Sequence, residues 1–175
     1  METTPSPDPI PDPDLDPMGS ADTAYAKADP VKRFIAALID GIIGGVIYFV
    51  LALFSRGLGW LAYAAFILIR DGLNLDFADG RSPGKKIMKL GIVRLDGGQM
   101  DLQASIMRNW PLAIGTILSG LLFLFGGWRL ALSMSWLTSL ASLLGLVEGI
   151  LVLVDKDGRR IGDKVGNTQI IETDE

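Results

Sequence analysis

From Phe34 to Phe54 the chain reads FIAALIDGIIGGVIYFVLALF, 21 residues with one charge, enough to cross a bilayer as a single helix. A second apolar run, Leu58 to Ile69, is interrupted by Arg70-Asp71 and resumes at Leu73. Its uninterrupted part is too short to span alone, so the pattern predicts a helix continuing to about Leu75. A third run covers Pro111 to Trp128, and a fourth, Ser135 to Val154, contains Glu148. None has a polar face wide enough for water, which excludes a soluble helical bundle. Trp60, Trp110, Trp128 and Trp136 stand close to the ends of these runs, as an interfacial aromatic belt requires. The reading is an all-α membrane protein, a bundle of four spans at about 34–54, 58–75, 111–128 and 135–154.

Placed at 100° per residue, the first span separates into two faces. Ala37, Asp40, Gly41, Gly44 and Tyr48 make a small and polar stripe, while Ile35, Leu38, Ile42, Val46, Phe49 and Leu53 make a face suited to lipid. Ala37, Gly41 and Gly45 follow the spacing that lets membrane helices pack closely, and Ala141, Gly145 and Gly149 repeat it in span four.

The connections carry weaker patterns. In residues 79–102 (DGRSPGKKIMKLGIVRLDGGQMDL), Asp79-Gly80 signals a turn, Ser82 an N-cap and Pro83 the first position of a short helix. Gly91 to Leu95 then suggests a strand, Asp96-Gly97-Gly98 a turn, and Gln99 to Leu102 a return strand. GRSPGKK has one spacer too few for a phosphate loop, and Lys86 stands where Ser or Thr would hold magnesium. Asp155 to Asp163 misplaces the glycine of a calcium loop and interleaves three bases, so a tight turn is expected there. Thr168 to Ile171 reads as a terminal strand pairing near Ile92, which adds a small cytoplasmic β element.

Charge then fixes orientation. Lys and Arg alternate along the chain: three before span one (Lys27, Lys32, Arg33), then Arg56 alone. Seven follow between spans two and three (Arg70, Arg81, Lys85, Lys86, Lys89, Arg94, Arg108), then Arg129, then four at the end (Lys156, Arg159, Arg160, Lys164). By the positive-inside rule both termini and the central loop are cytoplasmic. Arg81, Lys85, Lys86 and Lys89 read either as a collar meeting anionic lipid headgroups or as residues that only enforce topology. The formal charge of −4 belongs to the first 30 residues, which hold seven of the nine prolines and carry −6. That segment is expected to be a disordered tail ahead of a membrane domain at 31–171, with 172–175 a second short tail.

With no Cys and no His in the chain, there is no thiolate nucleophile, imidazole base, or Cys- or His-ligated metal site. No cofactor, metal, enzymatic step or nucleic-acid partner is expected. Proton or ion handling therefore falls to carboxylates. Asp40 lies seven residues beyond Arg33 and Glu148 seven before Asp155, so both sit about 10 Å inside their helices. Acids at such depth mark a functional site by default, and two at one level can share a proton or a cation. The alternative is structural: Arg33, Arg70 or Arg108 neutralises Asp40, and hydroxyls such as Thr138 or Ser142 cap Glu148.

Arg33 and Asp40 in span one, Arg70-Asp71, Gly80-Arg81-Ser82-Pro83-Gly84-Lys85-Lys86, Gly91-Ile92-Val93-Arg94, Arg108-Asn109, Arg159-Arg160-Ile161-Gly162-Asp163 and Thr168 to Ile171 together resemble the RDD family of bacterial membrane proteins. The resemblance covers roughly 31–171. It implies that Arg33 and Asp40 are the family's arginine and first aspartate and that Asp163 is the second. Members usually show two or three clear spans, so four is a departure. The resemblance implies transport of an unidentified ligand. Four short spans enclose little volume, so transport calls for a homodimer or larger assembly with the Ala/Gly stripes as seams. The competing expectation is a non-catalytic scaffold recruiting partners through its tail or basic loop.

Overall fold

A computed structural model describes residues 26–73 and 80–173. Two long helices, α1 (Pro30–Ala52) and α2 (Arg56–Ile69), precede a short helix α3 (Pro83–Ile87) and a strand β1 (Leu90–Arg94). Two more long helices follow, α4 (Leu102–Ser133) and α5 (Ser135–Val154), then a short helix α6 (Ile161–Val165) and a strand β2 (Thr168–Glu172). The order α-α-short α-β thus occurs twice.

The second half is a structural copy of the first. Asp29 and Asp101 each cap a long helix, accepting from Val31 N and Ala104 N. Seven residues on, Ala36 and Arg108 present the carbonyls against which Gly84 of α3 and Gly162 of α6 pack. Both short helices are followed by a non-glycine residue at positive φ, Lys89 at 54° and Asn167 at 49°, and then by a strand. The strands pair antiparallel with Ile92 opposite Ile170 at the centre, Leu90 opposite Glu172 and Arg94 opposite Thr168. Ile92 lies eight residues after Gly84, and Ile170 eight after Gly162, so the register is that of a local two-fold axis. The sequence carries the same repeat: Asp79-Gly80-Arg81-x-x-Gly84-x-Lys86 recurs as Asp157-Gly158-Arg159-x-x-Gly162-x-Lys164, and Gly80 and Gly158 share φ values of 67° and 65°. The structure of Asp79 itself lies outside the described residues.

Burial runs opposite to that of a soluble domain. Arg108, Glu148, Asn109, Asp40, Asp71 and Asp163 are among the largest fully buried side chains, while Phe49, Leu53, Phe125, Trp136 and Leu153 stand exposed. Only a surrounding bilayer makes that arrangement sensible. Three helices, α1, α4 and α5, are long and apolar enough to cross one. The lipid face expected for span one holds, with Ile35, Leu38, Ile42, Val46, Phe49 and Leu53 exposed. Of the expected stripe Asp40 and Gly44 are buried, Gly41 and Tyr48 half-buried, and Ala37 is exposed while Ala36 turns inward.

Several expectations are corrected. α2 stops at Ile69 instead of running to Leu75, because Asp71 turns into the interior and Gly72 packs on the backbone of Asp101 and Leu102. Its 14 residues rise about 21 Å, short of the hydrocarbon thickness of about 30 Å. Residues 74–79 lie outside the described residues. The expected return strand at Gln99–Leu102 is irregular backbone ending in the N-terminus of α4, which begins nine residues before Pro111 and breaks at Gly127 (φ 64°). Residues 26–30 belong to the folded part, since Ala28 is buried with Ala36, Leu90 and Ile170, and Glu172 belongs to β2. The rest of the expected N-terminal tail, residues 1–25, lies outside the described residues.

The seams between the repeats differ. α2 packs along α4, with Gly57 against the backbone of Leu124 and Gly120 against Leu61. The equivalent pair, α5 and α1, scarcely touch, and a cavity of about 300 Å³ lies between them. One seam is closed and its counterpart is open.

A Cβ at Gly84 or Gly162 would overlap a helix carbonyl oxygen, whereas one at Gly149 meets nothing within 4 Å. Gly84→Ala and Gly162→Ala should each cost about 1–3 kcal/mol or more, and Gly149→Ala should change little. Thermal unfolding in detergent checks this; a destabilising effect at only one of the two short-helix positions would break the equivalence of the repeats.

Candidate functional site

Eleven polar residues, ten of them buried, converge where the long helices meet the sheet. Asp163, on the first turn of α6, is completely enclosed and holds three guanidinium groups. Arg108 Nη2 donates to it at 2.7 Å, Arg160 Nη2 at 3.3 Å and Arg33 Nη2 at 3.3 Å, and Arg160 N closes the capping box at 3.2 Å. Arg33 also donates to the carbonyl of Gly158, a residue whose positive φ turns that carbonyl inward. Burial alone pushes the Asp163 carboxyl up, but Arg160, Arg108 and Arg33 outweigh it and hold it well below the usual carboxylate range.

Asp71 anchors the second cluster, accepting from Lys85 Nζ at 2.5 Å and Asn109 Nδ2 at 3.0 Å, with Arg108 Nε at 3.9 Å. Burial pulls the Lys85 ammonium down to about 8, against the opposing pull of Asp71. Asn109 Oδ1 accepts from Arg160 Nη2 at 3.4 Å, so the two clusters form one network.

The two intramembrane acids close its ends. Asp40 accepts from Ser82 Oγ at 2.6 Å and Gly84 N at 2.8 Å and lies 3.4 Å from Arg70 Nη1. Ser82 occupies the N-cap position of α3, but its hydroxyl serves Asp40 instead of the helix. Glu148 accepts from Gly162 N at 3.2 Å and faces Arg160 Nε at 3.7 Å. Each acid thus takes the backbone N–H of the glycine at the second position of a short helix.

Asp71 and Asp163 are held by short contacts to Lys85 and Arg108. Asp40 and Glu148 keep longer distances to their arginines, and both line the cavity between α1 and α5. The network divides into a tight frame and two loosely countered acids on open space.

The model of the RDD family matches residues 27–167, most of the chain. The chain belongs to the RDD family. No curated protein and no solved structure matches it. In this RDD protein the arginine at the start of α1, Arg33, and the aspartate of α6, Asp163, are bonded partners, while Asp40 closes a different end of the same network.

Six expected positions, Arg33, Asp40, Arg70, Arg108, Glu148 and Asp163, all fall in this network, and of the three arginines considered for Asp40 it is Arg70 that faces it. The hydroxyl caps expected for Glu148 are corrected: Thr138 donates to Ser135 O and Ser142 to Thr138 O, within their own helix. Lys85 is corrected as a headgroup ligand, since its side chain is 7% exposed and bonded to Asp71. Of the other collar residues, Lys89 is exposed, Lys86 half-buried, and Arg81 donates to Thr173 Oγ1 at 3.2 Å. Asp71, Ser82, Asn109 and Arg160 enter the network without having been singled out as site residues.

The depressed Asp163 carboxyl has a signed consequence. Its stabilisation is complete above the unfolded value near 3.9 and is lost as pH falls from there toward the lower folded value. Asp163→Asn should cost about 3–5 kcal/mol at pH 7, because three buried guanidiniums lose their shared anion. It should also flatten the loss of stability below about pH 4. Denaturation in detergent across pH 2–7 checks both; an unchanged acid limb would exclude Asp163 as the titrating anchor.

Proposed function

We propose that this RDD protein is a multi-pass protein of the bacterial cytoplasmic membrane that exchanges a proton or cation through Asp40 and Glu148. The observation that carries the reading is that these two acids, one from each repeat, line one cavity and are only loosely countered by Arg70 and Arg160. A proton or cation reaching either acid competes with an arginine 3.4 Å or 3.7 Å away, a weaker hold than the frame pairs have. Repeats of like orientation with a site between them also suit transport. α1–α2 and α4–α5 each form a hairpin whose ends return to the network, which supports four crossings with both termini cytoplasmic. α2 then completes its crossing through the turn at Arg70-Asp71. No catalytic step is assigned.

A second reading has its own observation. Asp40 and Glu148 both hold the short helices in place through Gly84 N and Gly162 N, as purely structural acids would. The protein is then a scaffold that displays its cytoplasmic sheet and tail to a partner.

Proteoliposomes under imposed proton, Na⁺ and K⁺ gradients separate the two. Transport predicts that Asp40→Asn and Glu148→Gln reduce flux to the leak of protein-free vesicles while the wild type exceeds it. Equal flux in wild type and both variants sinks the transport reading. The scaffold instead predicts that removing residues 1–25 abolishes the cellular role while Asp40→Asn keeps it.

A further inference from the structure

The open seam is a gap where the internal symmetry has a packed interface on the other side. Its walls are apolar and small: Phe34 and Ala37 on α1, Gly145, Gly149 and Val152 on α5, and Leu112 behind. A Cβ at Gly149 would meet nothing within 4 Å, and one at Gly145 only Leu112, at 3.8 Å. The floor is charged, with Arg33, Arg70, Lys85 and Arg160 lining it beside Asp40 and Glu148.

Charge at that floor is unbalanced. Among the described residues the network joins five bases (Arg33, Arg70, Lys85, Arg108, Arg160) to four acids (Asp40, Asp71, Glu148, Asp163). Of the bases that line the cleft, the least engaged is Arg70. Its side chain is 10% exposed, its ion-pair partner is Asp40 at 3.4 Å, and its Nε donates to nothing. A largely enclosed guanidinium with so few partners is costly unless an anion completes it.

We propose that the α1–α5 cleft is a binding site for one anionic phospholipid of the adjacent leaflet. Its acyl chain lies along the Ala37 and Gly145-Gly149 walls, and its phosphate meets Arg70 at the floor. A phosphate supplies the missing negative charge and takes guanidinium donors in the geometry they favour. A floor lined by Arg33, Arg70, Lys85 and Arg160 beside Asp40 and Glu148 is a poor seat for an apolar helix of a second copy, which brings no anion to it. The cavity holds about 300 Å³. A chain of methylenes fits, and the membrane supplies it at high local concentration. This inference stands apart from transport, because lipid retention is read without any flux.

Native mass spectrometry of the full-length protein, titrated with phosphatidylglycerol or phosphatidylcholine in detergent, tests it. One phosphatidylglycerol per chain should be retained, at least about tenfold more tightly than phosphatidylcholine. Gly149→Leu, which fills the cleft without touching the network, should abolish retention. Gly45→Leu, on open helix surface away from the lining, should leave it intact. Arg70→Gln should remove the preference between the two lipids, and Asp40→Asn should lose flux but keep the lipid. Equal affinity for the two lipids, full displacement by inorganic phosphate, retention in Gly149→Leu, or a dimer that only Gly149→Leu dissolves would each overturn the proposal.

Discussion

Asp163 makes the interior of this protein possible. Three guanidiniums from α1, α4 and the approach to α6 are buried together, and one carboxylate satisfies part of each. Remove that anion and the arginines repel one another in a medium that screens little. Everything else near the sheet follows from the constraint. α6 must be short and start at residue 161 so that its first turn offers both Gly162 N to Glu148 and the Asp163 carboxylate to the arginines. α4 must pass close enough for the Arg108 carbonyl to touch Gly162, which forbids a side chain there. β2 then leaves α6 in the one direction that pairs it with β1.

The same reasoning explains why the two halves are alike in frame and unlike in chemistry. The positions that set backbone path correspond: the capping aspartates, the short-helix glycines, the left-handed residues and the central isoleucines of the strands. The charged positions do not. In the same register that places Asp29 on Asp101, Asp40 corresponds to Leu112; in the register that places Gly84 on Gly162, Arg70 corresponds to Glu148 and Lys85 to Asp163. At the last two positions one half supplies a base where the other supplies an acid, and the ion pairs that cross between the halves are Arg33 with Asp163 and Arg108 with Asp71. Two identical halves would place like charges together, which burial makes prohibitive.

Much of this was legible in the residues, and the failures have physical causes. Period and composition place the lipid face of α1 because a bilayer rewards every apolar side chain on one side equally. Strand β2 and its partner near Ile92 are legible because both are short β-branched runs bounded by turns. Depth alone singles out Asp40 and Glu148. What depth does not reveal is the partner, since Glu148 is served by the backbone of Gly162 and an arginine at residue 160, neither of which helix geometry places beside it. Lys85 reads as a surface base because its neighbours Lys86 and Lys89 are basic too; only the turn that brings Asp71 inward makes it a core residue. The repeat was present as D-G-R-x-x-G-x-K twice, 78 residues apart. Weighed separately as a phosphate loop and a calcium loop, each copy fails, and the failure hides that they are the same turn serving the same purpose.

Buried ion pairs are poor evidence for stability, because desolvation offsets most of the attraction. What they do well is specify one arrangement, and here the specification is uneven. The frame pairs at Asp71 and Asp163 are short and enclosed, and they fix how α2, α3, α4 and α6 meet. The pairs at Asp40 and Glu148 are longer and border the seam that stays open. A protein that needed only to be rigid would gain by closing the second seam as it closes the first, with glycine against leucine. Keeping that seam open exposes polar groups to whatever enters the cleft, a cost that stability alone does not explain. The closed seam is where this fold is held, and the open one is where Asp40 and Glu148 border a cleft.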